Sequence, residues 1–154
     1  MLMSESLTPK GMKTKKQWRA VDKWVFTSAF LYVIACLTPT GCHINYGGDV
    51  VLGFVALWLG WLMVFVHISP FLAWSSNIFY FLAVIDLVLK GVRDRTVVFS
   101  MMALLLAISW FFMCSFFDGS YQCHVGYYFW VTSYLVLFIA TLKFWFGKVE
   151  RARK

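Results

Sequence analysis

Five apolar runs divided by short polar islands leave this chain few ways to fold. They are WVFTSAFLYVIACL (24–37), VVLGFVALWLGWLMVFVHI (50–68), PFLAWSSNIFYFLAVIDLVL (70–89), TVVFSMMALLLAISWFFMCSFF (96–117) and YYFWVTSYLVLFIATLKFWF (127–146). The first, second and fourth hold no Asp, Glu, Lys or Arg. A helix needs about 20 apolar residues to cross the hydrocarbon of a bilayer. The second, fourth and fifth runs meet that length, and the first reaches it from Val21 if Lys23 snorkels. In lipid the backbone must satisfy itself, so such runs are helices. A barrel would need alternating strands, and these runs are apolar on every face. Composition agrees. The chain is 61% hydrophobic and 14% charged, against about half and about a quarter in a soluble domain. The expected fold class is therefore all-α, a polytopic integral-membrane helical bundle.

The third run is the ambiguous one. Ser69-Pro70 reads as an N-cap and first helical position, and Gly91 as a C-cap, which gives a helix of spanning length. A later start at Ser75-Ser76-Asn77 would leave Ile78 to Leu89, too short to cross. Charge decides between them. Lys and Arg gather in three groups: Lys10 to Lys23; Lys90, Arg93 and Arg95; and Lys143 to Lys154. With four crossings all three groups share one side, and the positive-inside rule is obeyed with the N-terminus cytoplasmic. The expectation is five membrane-embedded helices, four of them crossings, with the third run re-entrant or crossing. The domain plan is a basic cytosolic tail at 1–23, a single transmembrane domain at 24–147 and a basic tail at 148–154.

Two polar islands, TPTGCHINYGGD (38–49) and DGSYQCHVGYY (118–128), each place Gly, Cys-His and Tyr between apolar runs. They reflect either a duplicated helix–loop–helix unit or a coincidence of loop-favoured residues. Four crossings put both islands on the outer side. Cys42 and Cys123 are then candidates for a disulfide between loops if that side is oxidising. Such a staple contributes about 2–4 kcal/mol. Cys36 and Cys114, near the ends of their runs, read as small buried hydrophobes. A sharper alternative is a membrane thiol-disulfide oxidoreductase using Cys36, Cys42, Cys114 and Cys123. No C-x-x-C pair is present to lower a thiol pKa. Cys42, His43, Cys123 and His124 also form a zinc-compatible set, but adjacent Cys-His ligands crowd one tetrahedral ion. No metal or cofactor is expected. His67 reads as an interfacial tip. VIAC (33–36) resembles a lipoprotein signal box that would make Cys36 a lipidated first residue; the alternative is an uncleaved anchor.

Within the runs, Gly53 and Gly60 are seven apart and fit close helix packing. Trp58 and Trp61 fill space beside them. Tyr121, Tyr127, Tyr128 and Trp130 form an outer aromatic belt, and Trp18, Trp24 and Trp145 an inner one. Ser100, Ser109, Thr132, Ser133 and Thr141 can bond between helices or to their own carbonyls. Asp86 is the one acid inside a run, and it can pair with Lys90 four residues on. Intramembrane acids are functional candidates by default.

Gly60-Trp61, Ala73-Trp74 with Asn77, and Gly126-Tyr127-Tyr128 with Trp130 resemble the motifs of a group of small polytopic bacterial membrane proteins of no assigned function. Those carry a G-W run, an A-W-x-x-N-P turn and a G-Y-Y-x-W helix start. The resemblance spans roughly 50–140 and departs at Ile78, where the group has Pro. It implies a bacterial inner-membrane location and brings no catalytic residue. No zinc-protease, nucleophile-elbow, phosphate-loop or dinucleotide motif is present. The expected partners are the lipid bilayer and a membrane protein or toxin, with no nucleic acid and the oligomeric state open. The expected function is non-enzymatic: an immunity protein against a pore-forming or membrane-depolarising bacterial toxin. A channel or transporter accessory subunit with Asp86 in its path is a further alternative.

Overall fold

The computed structural model describes residues 15–43, 50–65, 68–116 and 121–153. The order is α1 (Lys15–Leu37), β1 (Pro39–His43), β2 (Val50–Leu52), α2 (Gly53–Leu59), a 3-10 helix (Gly60–Phe65), α3 (Ile68–Lys90), α4 (Asp94–Phe116), β3 (Tyr121–Cys123) and α5 (Val125–Arg153). Three stretches among the described residues are helical, long and apolar enough to cross a bilayer: Phe71–Lys90, Asp94–Phe112 and Val125–Arg153. They mark the chain as a membrane protein. α1 packs along α5 as the fourth long helix. Helices define the fold, and a small sheet caps one end.

Five membrane-embedded helices find no support in the fold, which has, among the described residues, three helices long and apolar enough to cross. The second run breaks up. Val50-Val51-Leu52 pairs as a strand with β1, which suits its β-branched residues. Gly53 then opens a helix of only 7 residues. At Gly60 the chain tightens into six residues of 3-10 helix. Glycine weakens a helix interior by about 1 kcal/mol against alanine, and two glycines bracket this short one. α2 spans about 10 Å and the 3-10 helix about 12 Å. Together they fall short of the roughly 30 Å of hydrocarbon. The third run, expected as the re-entrant candidate, is instead a continuous 23-residue helix. It is about 34 Å long. Ser75, Ser76 and Asn77 do not start it. Ser75 and Ser76 each return a hydroxyl to the carbonyl three residues back, Leu72 and Ala73, at 2.6 Å, so the polar triplet is absorbed within the helix.

Both polar islands meet in one three-stranded antiparallel sheet of order β2-β1-β3. Gly41 pairs with Cys123, Cys42 with Gln122 and His43 with Tyr121. The ends of α1 and α4 therefore lie at the same end of the bundle, here the sheet end. Residues 44–49 of the first island, 118–120 at the start of the second, Phe117 before it, and His67 lie outside the described residues. The opposite, basic end holds the start of α1, the α3–α4 turn and the end of α5. Gly91 makes that turn with a φ of 70°, a left-handed C-cap that closes α3 with its N–H on the Leu87 carbonyl at 3.0 Å. α1 begins at Lys15 and α5 continues to Arg153, so the expected boundaries at 23 and 148 fall inside helices.

The long helices present small or polar residues to one another. Ala35, Ala83, Ala103, Ala107 and Ala140 are buried, beside Ser28, Ser100, Ser133 and Thr141. Small side chains let helices approach where no hydrophobic force separates helix from lipid. The large apolar residues turn outward, as Phe26 at 73% exposure and Leu89 at 71% illustrate. In water that would be a liability; in lipid it is the solvated surface.

Candidate functional site: a polar seam inside the bundle

The site is assembled around Asn77, midway along α3 and buried. Its Oδ1 accepts hydrogen bonds from Tyr32 of α1 at 2.8 Å, from Tyr134 of α5 at 2.7 Å and from the Trp130 indole of α5 at 3.0 Å. Its Nδ2 donates to the Trp74 carbonyl at 2.8 Å. An indole N–H can only donate, so the amide oxygen must face it. One side chain thus ties three helices.

A second layer lies one turn further along. Ser28 of α1 shares a 2.9 Å bond with the Tyr80 hydroxyl and donates to the Ser133 carbonyl at 2.8 Å. The rings of Tyr32 and Tyr80 stack at 4.9 Å between centroids, and those of Tyr80 and Tyr134 at 4.8 Å. Each tyrosine therefore adds ring contact as well as a bond. Towards the basic end, Ser100 and Thr141 bond each other at 2.8 Å. On α5, fully buried Leu137 lies between Ser133 and Thr141. This apolar side chain separates the two polar layers on that helix. Among the described residues the seam's bonds join helices to one another.

Asp86 closes the seam at the basic end. Its expected partner was Lys90, yet its carboxylate takes Arg95 and Thr96 of α4. Arg95 Nε donates at 3.1 Å, its terminal nitrogen forms the second contact, and the Thr96 hydroxyl donates at 2.6 Å. The reason is the reversal at Gly91, which lays the first turn of α4 against the last turns of α3. Asp86 is 7% exposed and faces α4, while Lys90 stays exposed. The Thr96 hydroxyl also accepts the Arg93 N–H at 3.2 Å, so it caps the helix it belongs to. Asp86 is a clasp for the α3–α4 hairpin.

The other expected residues are placed as follows. Gly53 lies against α1, where a Cβ would fall on the Ala35 carbonyl oxygen and the Cys36 backbone. Gly60 lies under the Trp74 indole in the same way, and that indole donates to the Leu57 carbonyl at 2.7 Å. Neither position leaves room for a Cβ, and the two glycines belong to different short helices. Cys42 and Cys123 sit on neighbouring strands, one residue out of direct opposition. Cys36 is half-buried and unbonded to another cysteine; the side chain of Cys114 is not described. Among the described residues no group of three His, Cys, Asp or Glu is placed to hold a metal. Ser109 and Thr132 return to their own helix carbonyls, Leu106 and Tyr128.

The Tyr32, Tyr80 and Tyr134 cluster is missing from the sequence reading. A signal was available. Ser28/Tyr32, Ser76/Tyr80 and Trp130/Tyr134 are each four apart, and their tyrosines lie inside apolar runs rather than at the interfaces. Tyrosine away from the interface needs a partner for its hydroxyl.

Most of the motif residues noted above converge here. Trp74 seats Gly60, and Asn77 binds Trp130. A Cβ on Gly126 would strike the Pro39 carbonyl oxygen and Thr38, and Tyr127 donates to the Ala107 carbonyl at 2.8 Å. Gly60, Trp74, Asn77, Gly126, Tyr127 and Trp130 lie at contacts between elements, whereas Trp61 and Tyr128 are exposed. No known protein-family model matches this chain, and no curated protein matches it in sequence.

Proposed function

We propose that this chain is a non-enzymatic, four-crossing protein of a bacterial inner membrane that acts by binding a membrane partner. Its most concrete form is an immunity protein against a pore-forming or membrane-depolarising toxin. The crossings are α1, α3, α4 and α5, with the basic end and the N-terminus in the cytoplasm. Positive-inside charge supports this orientation, because Lys23, Arg93 and Lys148 all lie at the basic end.

The observation that carries the reading is the α2–3-10 segment. It lies at the sheet end against α1 and α3, yet Trp58 is 75% exposed and Phe65 80% exposed. Trp61 is exposed as well. The bundle seam has its polar groups bonded internally, so what remains to recognise a partner is surface. This segment offers three large aromatic side chains on a short rigid piece, pinned by the Trp74–Leu57 bond. Exposed aromatic anchors are the usual carriers of binding energy at interfaces. A helix of a pore-forming toxin, lying at the same depth, is a fitting occupant.

The test is protection. Bacteria expressing this protein should keep their membrane potential when challenged with the cognate member of a toxin panel. Trp58→Ala with Phe65→Ala should remove protection and leave the protein folded in the membrane. No protection against any member of the panel, alongside a stable complex with an unrelated membrane protein, would overturn the toxin reading. Activity lost when all four cysteines become Ser, in a protein that still folds, would favour thiol–disulfide chemistry instead.

A further inference from the structure

We propose that the basic end of the bundle is a binding surface for anionic phospholipids, which it holds by the phosphate and by the adjoining acyl chains together. The level of the surface is set by two tryptophans. Trp145 of α5 donates to Asp94 at the start of α4 at 2.7 Å, and Lys143 of α5 lies over the Trp24 ring of α1, 5.8 Å from its centroid. Indoles favour the membrane–water boundary. Beyond this level α5 continues through residues 146–153, about 12 Å of helix. The headgroup layer on one side of a bilayer is about 5–8 Å deep. The last turns of α5 therefore pass through it. α1 runs antiparallel beside α5, since Ser28 meets Ser133 and Trp24 meets Lys143. Its first turns, which carry Lys15, Lys16 and Arg19, leave the bilayer at the same place.

Charge at this end is unbalanced after the internal bonds are made. Asp86 is paired with Arg95 and also receives the Thr96 hydroxyl, while Asp94 accepts the neutral Trp145 indole and keeps its charge. Exposed cations stand at Lys23, Lys90, Arg93, Lys143, Lys148, Arg151 and Arg153, against exposed Asp22, Asp94 and Glu150. Close to these cations in the sequence the chain also exposes large apolar side chains. Phe26 lies within a turn of Lys23, Leu89 precedes Lys90, and Phe146 lies between Lys143 and Lys148; their exposures are 73%, 71% and 59%. A phosphate beside hydrocarbon is what a phospholipid presents. A soluble phosphate or a nucleic acid would match the charges and leave the apolar neighbours unmatched.

The protein reconstituted in phosphatidylcholine, with trace spin-labelled phosphatidylglycerol or phosphatidylcholine, tests this. Phosphatidylglycerol should associate preferentially, with a gain of about fivefold for each cation that it meets, and added salt should weaken the preference. The Lys90→Gln, Arg93→Gln, Lys143→Gln variant should lose the preference, whereas Lys90→Arg with Lys143→Arg should keep it. Inorganic phosphate should not compete. Equal association of the two lipids with the native protein, full preference in the triple Gln variant, or displacement by inorganic phosphate would each overturn the proposal.

Discussion

Asn77 shows how much a single polar residue can settle inside a membrane. Its oxygen receives donors from α1 and α5 while its own helix takes its N–H. Interhelical hydrogen bonds in membranes average about 0.6 kcal/mol each, so losing three gives about 2 kcal/mol. Asn77→Ala should therefore lower stability by about 2 kcal/mol in a denaturation series. Tyr134→Phe, which removes one of the three donors and keeps the ring, should cost about a third of that. Equal losses for both would show that the Tyr134 bond alone carries what Asn77 contributes, and negligible losses for both would leave the seam to its ring contacts. Asp86 makes the opposite point. Its carboxylate is buried, while Arg95 is half exposed. Arg95→Ala strands a buried carboxylate, and Asp86→Ala lets the guanidinium turn to water. Removing the cation should therefore destabilise more than removing the acid, and the double variant should recover part of the loss. A larger loss from Asp86→Ala would mean that the acid matters through Thr96 and the cap of α4. The sequence marked Asp86 as special but not its partner. Spacing within a helix favoured Lys90, and only the reversal at Gly91 brings Arg95 and Thr96 alongside.

At the scale of the element, an apolar run of spanning length does not by itself make a helix of spanning length. The second and third runs are nearly equal in length and both apolar. What separates them is where the backbone is interrupted. Val50 and Val51 prefer a strand, and Gly53 and Gly60 stand where another element leaves no room for a Cβ. The third run carries its polar residues where they can bond to the helix's own carbonyls or to Tyr32, Tyr134 and Trp130. Helix existence and the basic and polar islands were readable from the sequence. Which run stops short was not, because it depends on contacts between elements. The glycines give a test. A methyl at Gly53 would meet backbone of α1, which cannot rotate away, whereas at Gly60 it would meet the Trp74 side chain. Overpacking costs about 1–3 kcal/mol. Gly53→Ala should lie at the upper end of that range or beyond it, and Gly60→Ala lower, as read from thermal unfolding in detergent. The reverse order would place the tighter contact at Trp74.

For the whole molecule, the sheet and the charges must agree about which way the chain runs. β1 and β3 pair, so the two islands emerge at one end. The α3–α4 turn with Arg93 lies at the other, since Asp94 meets Trp145 two-thirds of the way along α5. In the proposed arrangement, a short second run and a full-length third run give four crossings, the number that places every basic group on one side. The parity expected from charge is thus compatible with the fold, although the run that stops short is a different one. The expected disulfide bears on the same question. Cys42 and Cys123 stand one residue out of register, and a bridge between them closes a long loop, worth about 2–4 kcal/mol. Single-cysteine variants retaining Cys42 or Cys123, and a third with Cys at Val92 and no other, should be labelled in intact cells with a membrane-impermeant maleimide. Cys42 and Cys123 should both react from outside, and the cysteine at position 92 should react only after lysis. In the native protein, reduction should raise labelling at Cys42 and Cys123 if the strands are stapled. Labelling unchanged by reduction would leave the sheet held by its backbone bonds alone. Labelling of only one island from outside would contradict the pairing of β1 with β3, and with it the four-crossing arrangement.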